Sequence, residues 1–189
     1  MIKTYWIKSN APFSRSSFRT KLDALKIPYQ LEVRGEKEMI LSSEKDISHA
    51  LEGILITIGE NEGVRVTALR THNEGELATK CVDEALSFYP NSVRYISDII
   101  LKELSFGNYS SFPLLSAEFH SIDETILLTV GAYLRNNCSI NSASESLYIH
   151  RNTFRYRLDH FRKETNLDLH DYHDVLLLEL YFQLGRKRS

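Results

Sequence analysis

Cysteine is scarce in this chain. Of 189 residues only Cys81 and Cys138 are cysteine, and they stand apart without Cys-x-x-Cys spacing, which argues against a disulfide scaffold or a structural zinc site. No run of about 18 apolar residues occurs, so no membrane-spanning helix is expected. The opening stretch Met1 to Lys8 lacks the apolar core and small-residue cleavage site of a signal peptide, and a soluble, cytoplasmic protein is expected. An excess of either charge is also missing: 23 Lys and Arg against 25 Asp and Glu leave a net charge of −2. That balance excludes a chain that coats nucleic acid indiscriminately. Repeats and low-complexity tracts are absent too. What is present is an ordinary folding composition, 42% hydrophobic with 10 Tyr, 9 Phe and 1 Trp, long enough for one medium domain or two small ones.

The two halves differ in pattern. Ile2 to Ile7, rich in β-branched and aromatic residues, predicts a strand. Ser14 to Leu25 carries Phe18, Leu22 and Leu25 at i, i+4, i+7 and predicts a helix. Tyr29, Leu31 and Val33, then Met39 and Leu41, alternate about Arg34-Gly35-Glu36-Lys37 and predict a hairpin. Ile54, Ile56 and Ile58, followed by Val64, Val66 and Ala68, flank Gly59 to Gly63 and predict a second one. Glu74 to Tyr89 has helical spacing of Leu77, Cys81, Ala85 and Phe88 and stops before Pro90. Residues 1–115 are therefore expected to form an α+β domain, a regulatory or dimerisation part. Ser105 to Pro113 has the character of a connector.

Beyond residue 121 strand signals vanish. Asp123 to Asn136 predicts a helix with Ile126, Leu127, Val130, Tyr133 and Leu134 on its apolar face. Ser142-Ala143-Ser144-Glu145 fits a capping box for a short helix ending at Leu147, with Asn141 the alternative cap. Arg151 to about Thr165 and Tyr172 to Leu184 complete an all-α domain over 121–189. Two short helices joined by a tight turn, the second opening with polar and basic residues, make a helix-turn-helix, whose second helix enters the DNA major groove by its N-terminal end. At 100° per residue, Phe154, Leu158 and Phe161 cluster on one face and must point to the core. Opposite them lie Asn152, Tyr156, Asp159 and Lys163, with Thr153 on one shoulder and Arg151 and Arg155 on the other, and a groove-facing surface of Asn152, Thr153, Arg155 and Tyr156 is expected. Asparagine can read adenine through paired hydrogen bonds, arginine can read guanine or phosphate, and a threonine methyl can touch thymine. Asp159 would meet phosphates if the helix lay full length in the groove, so insertion by the N-terminal end is expected. Arg157, near the core edge, and Arg162 are phosphate or packing candidates, and His150 is a cap or phosphate contact.

The run Leu147-Tyr148-Ile149-His150-Arg151-Asn152-Thr153-Phe154-Arg155-Tyr156-Arg157-Leu158 resembles the C-terminal helix-turn-helix signature of the PucR/CdaR class of bacterial transcription regulators. Flanking segments agree: Tyr133 to Asn137 ends the preceding helix, and Thr165 to Leu169 with Asp171 leads into a leucine-rich one. The resemblance covers roughly residues 121–186 and implies binding of double-stranded DNA at a promoter, with Arg151, Asn152, Thr153, Arg155 and Tyr156 at the reading positions. Two departures stand out. Ser142, Ser144 and Ser146 replace the small apolar residues usual in the first helix of the pair. Residues 1–115 carry no Gly-Gly-Asp-Glu-Phe run and are too short for both the sensor region and the cyclase-like domain of larger members. No residue points to a particular small-molecule effector.

Other features have plainer readings. His170-Asp171-Tyr172-His173 has metal-like spacing, but no third ligand with motif spacing accompanies it, and a helix cap with surface histidines accounts for it better. Ser42 to Lys45 matches Ser-x-x-Lys without the partner motifs of acyl enzymes, and the acidic Gly59 to Gly63 segment is no phosphate cradle. No catalytic constellation is legible, so no enzyme, no cofactor and no metal are expected. Val175, Leu176, Leu177, Leu178, Leu180, Tyr181, Phe182 and Leu184 wrap nearly every face of the last helix. Such a helix must be buried on most sides, against the α+β half or a second subunit, and a homodimer is expected. The tail Arg186-Lys187-Arg188 is a phosphate contact or a solvated end. Within 148–163 five basic residues stand against one Asp, a local +4 that the near-neutral total conceals. An interaction module that docks another protein with the same helices is the alternative to DNA binding.

Overall fold

The computed structural model describes residues 2–185, which form two compact units divided between Ser111 and Phe112. The basic tail at 186–188 lies outside the described residues. No helix among the described residues is long and apolar enough to cross a membrane.

The first unit is built on a five-stranded sheet of β1 (Lys3–Ser9), β2 (Gln30–Val33), β3 (Glu38–Ser43), β4 (Val66–Thr71) and β5 (Val93–Tyr95). The spatial order is β2-β3-β1-β4-β5. β1 is central and pairs antiparallel with β3 and β4, which places Trp6 opposite Ile40 on one side and Leu69 on the other. Among the described residues only the β4–β5 pair is parallel. A parallel pair needs a crossover, and α3 (Glu76–Phe88) supplies it. Strand alternation sorts side chains to two faces. Tyr5, Ile7, Met39, Leu41, Val66 and Ala68 join a core with Phe18 and Leu22 of α1 (Arg15–Asp23) and Leu51, Ile54, Leu55 and Ile58 of α2 (Ser48–Glu62). On the other face α3 packs against β4 and β1, with α4 (Ile96–Ser105) beside it.

The first hairpin forms as its alternation predicts, with β2 against β3 in the register Leu31 to Leu41 and Val33 to Met39. The second does not. Residues 48–62 are a helix, and Ile54, Ile56 and Ile58 are not a strand. Leu51, Ile54, Leu55 and Ile58 at i, i+3, i+4, i+7 are all buried, whereas Ile56 is 42% exposed. The true period is 3.6, and the every-second isoleucine is a coincidence laid over it. Gly63, at φ 66, ends α2 in the left-handed conformation that glycine adopts most readily, so the presumed turn is a helix terminus.

The second unit is all helical: α5 (Phe112–Glu118), α6 (Glu124–Arg135), α7 (Ile140–Ser146), α8 (Arg151–Thr165) and α9 (Tyr172–Leu180), followed by a π-helical turn at Tyr181–Gly185. The fold is thus α+β followed by an all-α helix-turn-helix unit. Asp123 caps α6 by accepting the Thr125 N–H at 2.8 Å, and with the Thr125 hydroxyl donating as well, its carboxyl is held below the usual carboxylate range. Asp171 caps α9 by accepting from the His173 and Asp174 N–H groups, the role that the His-Asp-Tyr-His run was expected to play. The expected capping box at Ser142 is corrected: α7 begins three residues earlier, because Ser139 Oγ accepts the Ser142 N–H at 3.3 Å. Neither Ser142 nor Asn141 is the cap, and Glu145 is an exposed residue inside the helix. The aromatic run at the end of α9 finds partners within its own unit. Tyr181 lies 4.6 Å ring to ring from Phe119, which in turn stacks at 6.3 Å on Phe161.

Candidate nucleic-acid interface

α7 and α8 are joined by a four-residue turn, 147–150. The turn closes α7 with three backbone hydrogen bonds: Leu147 N–H to Ala143 O, Tyr148 N–H to Glu145 O and Ile149 N–H to Ser144 O. His150 then opens α8. Its Nδ1 accepts the Asn152 N–H at 3.2 Å, satisfying one of the donors that a helix N-terminus leaves unpaired. With Nδ1 accepting, the donor of this exposed ring is Nε2–H.

One side of α8 anchors it. Phe154 and Phe161 are fully buried and Leu158 nearly so; Phe154 meets Tyr133 of α6 at 6.3 Å between rings. α7 contributes Ala143 and Ser144 to the same interior. Ser144 is tolerated there because its hydroxyl donates to the Asn141 carbonyl at 3.0 Å, removing the cost of an unpaired buried donor. Ser142 and Ser146 are exposed, so only one of the three serine departures touches the packing. Burial raises the Tyr133 phenol above its usual range.

The other side of α8 is open. Arg151, Asn152, Thr153, Arg155 and Tyr156 are all exposed, as is Asp159 farther along. His150 and Arg151, Asn152, Thr153, Arg155 and Tyr156 are thus all accessible at the N-terminal end of α8. Arg157 is placed differently. It is half-buried, and its Nη1 donates to Thr129 Oγ1 of α6 at 3.4 Å, which ties α8 to α6. Arg162 is also half-buried, with Nη2 3.9 Å from Asp168 Oδ1. Both follow from their position at the edge of the apolar stripe. Sequence reasoning passed over Tyr148, which is 97% exposed in the turn; its only signal was its place immediately before the Ile149-His150 pair that leads into the helix.

Two helices at this spacing, the first buried on one side and the second presenting a polar N-terminal face, define a helix-turn-helix domain. Residues 126–184 match the PucR C-terminal helix-turn-helix domain. Relatives agree. The chain is 34% identical over 97 residues to the proline-responsive transcriptional activator PutR of Bacillus subtilis, covering 50% of this chain and 23% of that protein. It is 39% identical over 74 residues to the carbohydrate diacid regulator of Escherichia coli, covering 38% and 19%. With the purine catabolism regulatory protein of B. subtilis it shares 32% identity over 78 residues, covering 41% and 15%. The matched region thus spans less than a quarter of each relative's length. Among solved structures, a regulator of polyketide synthase expression from Bifidobacterium adolescentis aligns with the whole chain and 82% of its own at 16% identity and a TM-score of 0.48, a likeness too slight to carry an argument.

Proposed function

We propose that this chain is a transcription regulator that acts by binding double-stranded DNA, with α8 inserted N-terminus first into the major groove. The observation that carries this reading is the division of α8 into a face sealed by Phe154, Leu158 and Phe161 and an open face of Asn152, Thr153, Arg155 and Tyr156. Backbone contacts position such a helix and base-edge contacts select the site. Asn152 and Arg155 carry the bidentate groups suited to adenine and guanine, and the Thr153 methyl suits thymine. Arg151 and the Nε2–H of His150 serve phosphates beside them, and Tyr156 flanks the reading residues. Arg157 supports the surface from within by holding α8 on α6. Asp159 repels phosphate and keeps the C-terminal half of the helix out of the groove.

The relatives' own names support this reading: one is a transcriptional activator and the others are regulators of carbohydrate diacids and of purine catabolism. The mechanism is binding and not catalysis, the setting is the cytoplasm, and the acting form is a homodimer that presents two copies of α8 to half-sites about 34 Å apart. The α+β unit is the regulatory or dimerisation part.

The test is titration of the full chain against DNA from its own upstream region at several salt concentrations. Affinity should fall steeply with salt, the log–log slope being about −0.9 per phosphate neutralised. Arg155→Ala or Asn152→Ala should cost about 1–3 kcal/mol at the cognate site. Unchanged binding by both variants would refute the assignment of α8. No binding of any genomic fragment at low salt would leave the helices as a protein-docking module.

A further inference from the structure

Tyr148 is conspicuous in two unrelated ways. Its side chain is 97% exposed, more than any other large hydrophobic side chain among the described residues. Its backbone has φ 54, the left-handed region in which the β-carbon of an L-residue crowds the following carbonyl. The turn requires that conformation, since it delivers the Tyr148 and Ile149 N–H groups to the carbonyls of Glu145 and Ser144 at 3.0 and 3.1 Å. Glycine or asparagine meets the same requirement at least cost. Among the described residues the chain uses asparagine at 91, 137 and 166, at φ 59, 51 and 61, and Lys26 and Cys138 at φ 53 and 59. At 148 it has a tyrosine instead, and a side chain so exposed returns almost no packing energy for the backbone cost.

We infer that Tyr148 is a DNA-backbone contact, donating its phenol O–H to a phosphate at the wall of the groove that α8 enters. The inference rests on the DNA-binding reading above and adds a residue to it. Tyr148 lies three positions ahead of Arg151, the first residue of α8. When a helix enters the major groove by its N-terminus, the turn before it comes against the sugar-phosphate rim. Paired bases offer their edges in the groove and not their faces, so the ring has nothing to stack on. The phenol O–H, by contrast, is a donor matched to a phosphate oxygen. His150 and Arg151 follow and are exposed as well, so three donors stand within four residues at the mouth of α8.

The experiment uses the full chain, a DNA fragment from immediately upstream of its own coding sequence, and an unrelated fragment of equal length, with binding read by fluorescence anisotropy. Tyr148→Asn keeps a residue suited to the left-handed turn and should melt no lower than the parent, yet bind both fragments about tenfold more weakly, the value of one hydrogen bond to a charged group. Tyr148→Phe, lacking only the hydroxyl, should weaken binding to a similar extent. Because phosphates carry no sequence information, the loss should be equal on the two fragments. Parental affinity in Tyr148→Asn, with Arg155→Ala impaired, overturns the Tyr148 contact and leaves the DNA-binding reading standing. The same result with reduced output in a reconstituted transcription reaction also overturns it, and assigns the ring to a protein partner. Parental affinity in Tyr148→Phe alone refutes the phosphate hydrogen bond. Should the parent bind neither fragment, the DNA-binding reading falls and the Tyr148 contact with it.

Discussion

Two glycines of α2 set the same substitution in opposite surroundings. In a helix interior alanine is favoured over glycine by about 1 kcal/mol. At Gly53 nothing lies within 4 Å of an added β-carbon, so Gly53→Ala should keep that advantage and stabilise the first unit by about 0.5–1 kcal/mol. At Gly59 the added carbon would stand 2.3 Å from Nδ2 and 2.5 Å from Oδ1 of Asn91. Asn91 has little freedom to yield. Its Oδ1 accepts the Val66 N–H at 3.1 Å, its own N–H donates to the Val66 carbonyl at 2.6 Å, and its φ is 59. Displacing the side chain strands the N–H of the fully buried Val66, at about 1–3 kcal/mol. Overpacking adds about 1–3 kcal/mol more. Less the helical gain, Gly59→Ala should cost about 1–5 kcal/mol. Trp6, the chain's one tryptophan, is 7% exposed on β1, so its fluorescence during urea titration reports on this unit without interference from the helical one. A Gly59→Ala midpoint at or above the parent's would refute the close approach of α2 to Asn91, and a Gly53→Ala midpoint below the parent's would refute the open surroundings of Gly53.

Three further outcomes are expected. Phe154→Ala opens a cavity behind α8 at a fully buried site and should cost about 3–5 kcal/mol, with loss of helical circular dichroism and of DNA binding together. Lys80→Met removes the cation that Glu84 and Glu103 share. Burial alone would raise the Glu103 carboxyl, but hydrogen bonds from Lys80 and Ser111 hold it below its usual value, so its stabilisation is full above the unfolded carboxyl pKa of about 4.3 and is lost as pH falls through the lower folded value. Lys80 is a quarter exposed, so its removal should cost about 2–3 kcal/mol at neutral pH, somewhat less than breaking a fully buried pair. The difference from the parent should shrink in acid, and a constant difference between pH 7 and 3 would refute the pairing. Tyr5→Phe tests the far end of the scale. Burial pushes the Tyr5 phenol up to about 12, so its contribution is present below about pH 10 and is lost as pH rises through 12. The parent should lose stability over that window more steeply than the variant.

How much of this was legible in the sequence depended on where the deciding contacts lie. α8 could be read closely because Phe154, Leu158 and Phe161 set its phase within eight residues and the polar face follows by geometry. The first residue of α7 could not, since Ser139 and Ser142 each have a plausible partner three residues on, and only the backbone shows which one caps. In the first unit Leu51, Ile54, Leu55 and Ile58 state a helix while Ile54, Ile56 and Ile58 state a strand. The approach of Gly59 to Asn91, a tertiary fact, marks which was obeyed. α4 was not anticipated, because Glu103 interrupts its apolar stripe and is tolerated through Lys80, 23 residues earlier, and the Ser110 hydroxyl that follows the helix. The parallel pairing of β4 with β5 is likewise a matter of long-range topology. Arg157, near the core edge, was open to a phosphate or a packing role; that Thr129 receives it is a contact between elements.

The π-helical turn at 181–185 bears on which side chains the end of the unit seals in. Such a turn works like an inserted residue in an α-helix, and one residue is worth about 100° of phase. Here Tyr181 is turned inward, 5% exposed, while Leu184 is left 51% exposed. Deleting a single residue within 181–184 would restore the ordinary α-helical phase there without touching α7 or α8. Spacing at this turn, more than composition, therefore decides which apolar side chains of the run are hidden and which are shown to solvent.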